Sequence, residues 1–138
     1  MTAWMLLEDE EDLCDMILAM CDILGVTGVA FSTGGAAMEW IADVEKGDYL
    51  RELPELALLD IRLPDAIGGA MVAQRLRQSR PLSQMVIVIM TAFHLSAREE
   101  QAILDAAEAD YLLYKPLPRF DQFSRLLDDL IAQNHSEV

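Results

Sequence analysis

The chain has 138 residues, 53% of them hydrophobic, and a formal net charge of −14. This length and apolar content predict one globular domain over residues 1–138, with a frayed polar tail at 133–138. The excess of acids argues against binding to nucleic acid or to anionic membranes, because both depend on Lys and Arg.

Short apolar runs alternate with amphipathic stretches along the chain. The last three apolar runs are too continuous to be half-exposed, which is typical of parallel strands covered on both faces. In chain order, the predicted elements are strand Trp4–Leu7, helix Asp12–Leu24, strand Thr27–Phe31, helix Ala36–Val44, strand Leu56–Leu59, helix Ala70–Gln78, strand Met85–Met90, helix Ala97–Ala107 with Ser96 as its cap, strand Tyr111–Tyr114 and helix Phe120–Ala132.

This βαβαβαβαβα order predicts right-handed crossovers and an open α/β sheet. In such sheets, ligands bind outside the carboxyl ends of the strands, near the point where the strand order reverses. Residues 45–55 form a long connection, for which we expect an extra helical turn or a surface lobe.

Polar residues follow four of the predicted strands directly. The acids Glu8–Asp12 follow the first strand, Asp60 the third, Thr91 the fourth and Lys115-Pro116 the fifth. Each signal is weak alone, since acids favour helix starts and a lysine commonly lies on the surface. Their occurrence at successive strand ends predicts one shared site.

Converging carboxylates of Glu8, Asp9 and Asp60 would repel one another, and a small oxygen-seeking cation relieves that repulsion. Mg²⁺ fits this donor set best. A carboxylate beside bound Mg²⁺ can attack phosphorus, so Asp60 is a candidate carrier of an acyl phosphate. The Thr91 hydroxyl and the Lys115 ammonium are then candidate ligands of the phosphoryl oxygens.

At this point four segments resemble one family, the response-regulator receiver domain of two-component signalling. They are Leu6-Leu7-Glu8-Asp9-Glu10, Leu58-Leu59-Asp60-Ile61-Arg62-Leu63-Pro64, Val88-Ile89-Met90-Thr91-Ala92 and Tyr114-Lys115-Pro116. The resemblance spans nearly the whole chain. It implies a flavodoxin-like doubly wound (βα)5 fold, with a five-stranded parallel sheet in the order 2-1-3-4-5.

The resemblance also implies roles for the residues of the shared site. Asp60 would be the phosphoacceptor, Asp9 a direct Mg²⁺ ligand, Glu8 a ligand through water and the backbone carbonyl of Arg62 a further ligand. Thr91 and Lys115 would bind the phosphoryl group.

Two details agree with this register. Gly68 falls where the family usually has a glycine, eight residues beyond Asp60. Lys115-Pro116 resembles the family's lysine and proline, which are commonly joined by a cis peptide bond.

Two departures from the family pattern are also visible. Leu112 stands where many members carry an aromatic residue that turns inward on activation. Tyr111 is one residue away and therefore faces the other side of the strand, so it cannot substitute. The separation of Asp9 and Asp60 is also several residues longer than usual, which the 45–55 connection would absorb.

The resemblance implies a sensor histidine kinase or phosphotransfer protein as phosphodonor and a downstream protein as reader. The reader would dock on the fourth helix, fifth strand and fifth helix, about Ser96–Ala107, Tyr111–Tyr114 and Phe120–Ala132. Phe93, Arg98, Leu112 and Tyr114 are the candidate contacts on this face. Phosphorylation would shift an existing equilibrium of the loops and of the fourth helix.

Two other functions compete with this interpretation. A receiver fold whose phosphorylation is idle would serve as a constitutive interaction module, which Leu112 favours and the complete acid set disfavours. A Mg²⁺-dependent phosphohydrolase of the haloacid dehalogenase type needs a second acid two residues after its nucleophile, where Arg62 stands instead. The chain is therefore expected to be a phosphoacceptor rather than an enzyme.

The remaining motifs predict no chemistry. Cys14 and Cys21 are expected to be buried free thiols, and the chain has no Cys/His metal spacing. Ser32-Thr33-Gly34-Gly35 lacks the spacing of a phosphate-binding loop and is expected to be a turn. No apolar run reaches the length of a membrane span and no signal peptide is visible, so we expect a cytoplasmic protein.

Overall fold

The computed structural model describes residues 2–62 and 67–136, and the motif residues Leu63 and Pro64 lie outside this range. Strands and helices alternate in the predicted order. The elements are β1 Thr2–Leu7, α1 Glu11–Leu24, β2 Val26–Phe31, α2 Gly34–Lys46, β3 Leu56–Asp60, α3 Gly69–Gln78, β4 Val86–Thr91, α4 Ala97–Ala107, β5 Tyr111–Tyr114 and α5 Phe120–Ser136.

The strands form one parallel sheet in the order β2-β1-β3-β4-β5, which confirms the predicted doubly wound fold. The chain moves outward from β1 to β2 and then returns to β3 on the other side of β1. The carboxyl ends of β1 and β3 are therefore neighbours at the switch point, where ligands bind in this class of sheet.

Each face of the sheet has its own apolar core. One core packs α2, α3 and part of α4 against alternate residues of β1, β3 and β4, among them Met5, Leu59 and Ile89. The other core packs α1 and α5 against the opposite face, with Phe123 and Leu127 fully buried. β3 and β4 are buried along their whole length, as their continuous apolar runs predict.

Two local predictions need correction, and a third had left two alternatives open. α5 continues to Ser136, so the expected fraying at Gln133–Ser136 is wrong: a further helical turn forms there, and the Asn134 side chain donates to the Gln84 carbonyl over 2.8 Å. Of the two alternatives for the 45–55 connection, residues 47–55 form no helical turn and lie on the surface, with Leu50 90% exposed. Tyr49 of this connection packs on Trp40 with ring centroids 5.5 Å apart. Within the predicted turn, the Thr33 side chain caps α2 by accepting from Ala36 N.

The predicted cap of α4 is confirmed, since Ser96 forms a capping box with Glu99. Both cysteines are free, and Cys21 is buried as expected, whereas Cys14 is only partly buried. Among the described residues, no helix has the length and apolar character that a membrane crossing requires.

The Arg77 guanidinium joins the segments that lead into β4 and β5. It donates to the carbonyls of Ser83 (2.8 Å), Met85 and Glu108 (2.9 Å), and it pairs with the Asp110 carboxylate at 3.0 Å. Only 15% of the Arg77 side chain is exposed. The guanidinium therefore fixes the start of the two strands whose far ends carry Thr91 and Lys115.

We expect Arg77→Met to lower the free energy of unfolding by about 2–4 kcal/mol, because it leaves carbonyl groups without a donor and Asp110 without its cation. Asp110 also accepts from Ile87 N over 2.8 Å, so the loss extends to the β4–β5 pairing. Urea denaturation would measure this effect. The exposed Arg80→Met is the matched control, and equal stability of the two variants would contradict the prediction.

Candidate functional site

The four polar signals of the sequence meet at one end of the sheet. Glu8 follows β1, Asp60 ends β3, Thr91 ends β4 and Lys115 follows β5. The register of the strands explains this convergence. Leu7 of β1 pairs with Leu59 of β3, and Asp60 of β3 pairs with Met90 of β4, so these neighbouring strands end side by side at the same edge of the sheet. The predicted shared site therefore forms.

Three carboxylates face one another at this end. Glu8, Asp9 and Asp60 each offer an oxygen within 4.8 Å of the others. Glu8 and Asp60 are 1% and 7% exposed, whereas Asp9 is exposed to solvent. A cluster of oxygen donors that is open on one side suits a hard divalent cation that keeps several waters, so these residues fit Mg²⁺.

Lys115 is the cation that balances the buried acids. Its Nζ donates to Glu8 Oε1 at 2.7 Å and to Asp60 Oδ2 at 3.4 Å. Burial lowers the pKa of Lys115, but the hydrogen bond to Glu8 and the charge of Asp60 outweigh this effect and raise it overall. Lys115 therefore stays charged and lies closer to Glu8 than to the candidate acceptor.

Asp60 is the acid of the group whose pKa is clearly raised. Burial, followed by the negative charge of Glu8, raises the pKa of Asp60 to about 6, although Lys115 and the backbone N–H of Arg62 oppose the shift. That N–H donates to Asp60 Oδ1 over 3.3 Å. The raised pKa means that the charged form of Asp60 is less stable here than in water, so a further positive charge nearby would stabilise it.

Thr91 lies beside the acids on the next strand and is 1% exposed. Its Oγ1 accepts a hydrogen bond from Phe93 N at 3.1 Å, which leaves the hydroxyl hydrogen available for another acceptor. The Phe93 ring lies under the Arg62 guanidinium, 4.1 Å from the ring centroid, so the loops after β3 and β4 contact each other. Sequence reasoning named both residues but missed this contact.

The glycine pair before α3 is constrained by the acceptor strand. A Cβ on Gly69 would lie 2.1 Å from the Asp60 carbonyl oxygen, so only glycine fits there. At the predicted position Gly68, a Cβ would lie 3.0 Å from the Ile61 carbonyl, which is a milder clash. The requirement for glycine is therefore stricter at Gly69 than at Gly68. The pair of adjacent glycines in the sequence is the feature from which this requirement could have been predicted.

Other expected details can be placed as well. The Lys115-Pro116 peptide bond is cis. Leu112 packs with the core on the α3 and α4 side of the sheet. Tyr111 is 37% exposed, and Tyr114, two residues beyond Leu112, donates its hydroxyl to Glu100 Oε1 of α4.

We expect Asp60→Asn to stabilise the protein at pH 7.5, without divalent cations, by about 1–2 kcal/mol. The folded-state pKa near 6 lies above the unfolded value, so the wild-type chain loses stability as pH rises from about 4 to about 6. The advantage of the variant should shrink as pH falls through that window. Thermal unfolding at several pH values measures it.

The exposed Asp128→Asn on α5 controls for the general loss of one negative charge. An Asp60→Asn variant that is no more stable than this control at pH 7.5 would show that burial of the Asp60 charge costs nothing.

We expect Lys115→Met to destabilise the protein by about 3 kcal/mol at neutral pH without divalent cations. The side chain of Glu8 is 0% exposed, so its charge would lose the partner that compensates its burial. Chemical denaturation measures the loss, with the exposed Lys46→Met as control. Adding Glu8→Gln should recover part of it, and a double variant with no recovery would disprove the pairing.

Comparison with known proteins agrees with this arrangement. The family model described as response regulator receiver domain matches residues 5–127. No curated protein sequence matches the chain significantly. The fold is shared with solved receiver domains at low sequence identity, as three examples illustrate.

A CheY-like response regulator receiver domain protein from Methanospirillum hungatei JF-1 has a TM-score of 0.76 and 22% identity, covering 100% of this chain and 99% of that one. The receiver domain of a modulated diguanylate cyclase from Desulfovibrio desulfuricans G20 has a TM-score of 0.75 and 22% identity, covering 99% and 98%. The receiver domain of an HD domain-containing protein from Pseudomonas fluorescens Pf-5 has a TM-score of 0.77 and 17% identity, covering 98% of each chain. Because the family model spans most of the sequence, the chain belongs to the response regulator receiver domain family.

Proposed function

We propose that this chain acts as one phosphoacceptor receiver domain of a two-component response regulator. Asp60 takes a phosphoryl group from a sensor histidine kinase or a phosphotransfer protein, with Mg²⁺ as cofactor. Receiver domains bind Mg²⁺ at an acidic pocket, and they interact with such donors and with downstream effectors. The observation that carries the proposal is the meeting of Asp60 with two further acids and Lys115 at one end of the sheet.

The reaction exchanges one bond to phosphorus for another. A carboxylate oxygen of Asp60 attacks the phosphorus, the bond to the donor imidazole nitrogen breaks, and that nitrogen keeps the electron pair and takes up a proton. The product on this chain is an acyl phosphate. Mg²⁺ held by Asp9, Asp60 and the Arg62 carbonyl, with Glu8 through water, would neutralise charge on the phosphoryl oxygens.

The chain's own residues have separable roles. Lys115 lies 3.4 Å from Asp60 Oδ2 and is placed to pair with a phosphoryl oxygen. The buried hydroxyl of Thr91 has a hydrogen to donate to another. Glu8 holds Lys115 at 2.7 Å, and its burial keeps that ammonium aimed at the acceptor instead of at solvent.

Output would follow through a docking face made of α4, β5 and α5. Phosphorylation adds about −1.5 to −2 charges at the acceptor, which would draw Thr91 and Lys115 inward and move the loop after β4. Phe93 is 45% exposed and Arg98 is also exposed at the start of this face. A downstream protein would distinguish the two states there, and the domain itself would release phosphate only slowly.

The second candidate function is a phosphorylation-independent interaction module of the same fold. Leu112, which fills the usual aromatic position with an aliphatic side chain, favours it. The intact acid set with Asp60, Thr91 and Lys115 favours phosphorylation. A phosphohydrolase is disfavoured, because the residue two beyond Asp60 is Arg62 rather than an acid.

We expect a single added phosphoryl group, seen by intact-protein mass spectrometry, after incubation with acetyl phosphate and Mg²⁺. Asp60→Asn and Asp60→Ala should abolish the adduct, because each removes the attacking oxygen. A sample in EDTA should also lack it, because phosphoryl charge then goes unneutralised.

Asp9→Ala and Asp48→Ala make a matched pair of exposed acids. The first should weaken Mg²⁺ binding and labelling, and the second, in the α2–β3 connection, should change neither. Absence of an adduct on wild-type protein, both with acetyl phosphate and with histidine kinases, while Mg²⁺ binding is intact, would favour the interaction module.

A further inference from the structure

An aromatic side chain does lie on the α4-facing side of β5, two residues beyond the family's usual position. Alternate residues of a strand share a face, so Tyr114 lies on the same side as Leu112. Its hydroxyl donates to Glu100 Oε1 in the first turns of α4. That hydrogen bond, with burial and the charge of Glu100, raises the pKa of Tyr114. The pair links the end of β5 to α4.

The two ends of α4 are attached differently. At the carboxyl end, Ala107 is fully buried, Gln74 Nε2 donates to the Ala106 carbonyl over 2.7 Å, and Arg77 Nε donates to the Glu108 carbonyl over 2.9 Å. Ala107 is the one buried residue of the helix. Toward its start, α4 is attached to the sheet by the bond between Tyr114 and Glu100 and by the partly buried Ile103, which packs against the core. α4 is therefore anchored at one end and tethered at the other.

The tether also reaches the phosphoryl site. Tyr114 is the register partner of Thr91, and Lys115 N donates to the Thr91 carbonyl over 2.8 Å. The Thr91 hydroxyl accepts from Phe93 N, so the loop that continues into α4 starts at the same residue. The strand end, the loop and the first turns of α4 thus form a ring closed by the hydrogen bond to Glu100. Because Thr91 belongs to this ring, a shift of Thr91 toward Asp60 would strain the hydrogen bond between Tyr114 and Glu100.

We propose that the Tyr114–Glu100 hydrogen bond is a latch that stabilises the unphosphorylated position of α4, so that Tyr114 is a positioning residue for phosphoryl binding at Asp60. The inference rests on the proposed function and adds the regulation of that site. A ligand shifts an equilibrium only by its difference in affinity for the two states. Stabilising the unphosphorylated state therefore weakens phosphoryl binding, and opening the latch strengthens it.

The test is the affinity of the intact chain for beryllium trifluoride, a phosphoryl analogue, in the presence of Mg²⁺. Tyr114→Phe removes the hydroxyl, and Glu100→Ala removes its acceptor while keeping a strong helix former. Each should bind the analogue about three- to tenfold more tightly, the factor that the net free energy of one hydrogen bond predicts. The double variant should match the single ones, because both remove the same interaction. A residue with a merely structural role would weaken binding or leave it unchanged.

Two control variants match these changes. Tyr111→Phe removes a hydroxyl on the other face of β5, and Asp105→Ala removes one charge from α4 without touching Tyr114. Both should bind as the wild type does. Wild-type affinity in Tyr114→Phe and Glu100→Ala, weaker binding in either, or equal tightening in Asp105→Ala would overturn the latch while leaving the proposed function intact. A folded wild-type protein that neither binds the analogue nor is phosphorylated would overturn both.

Discussion

The site depends on one half-buried lysine that must balance two buried acids. Lys115 Nζ contacts Glu8 at 2.7 Å and Asp60 at 3.4 Å, while burial of each acid makes an uncompensated charge costly. One cation for two buried anions leaves a net negative charge that the fold has to support. A divalent cation would relieve that deficit, and the packed strands on either side hold the charges together.

The distances from Lys115 Nζ to the two acids differ, and so do the other contacts of Glu8 and Asp60. Glu8 also accepts from Glu10 N through its second oxygen, so both of its oxygens are occupied. Asp60 has one weak contact with Lys115 and one with Arg62 N, and the pKa of Asp60 is raised to about 6. Among the described residues, Glu8 is thus held by two partners at 2.7 and 3.1 Å, whereas the Asp60 carboxylate has contacts only at 3.3 and 3.4 Å.

Most of the fold followed from sequence because its signals are local. Continuous apolar runs such as Val86–Met90 predict buried strands, and caps such as Ser96 fix helix starts, so every element was found within a few residues of its ends. The shared site followed from strand ends in one parallel sheet. Contacts between distant segments did not follow, since no local pattern encodes that Arg77 reaches Asp110 or that Tyr114 reaches Glu100.

The α2–β3 connection lies at the opposite end of the sheet from the acids. Residues 47–55 lead into the amino end of β3, and Glu55 N donates to the Ala3 carbonyl over 3.0 Å near the amino end of β1. The site lies at the carboxyl ends of the same strands, so insertions here are separated from it by the full length of the buried sheet. Tyr49 packing on Trp40 anchors the connection, while Leu50 beside it is 90% exposed, so a change of length here would be accommodated in solvent.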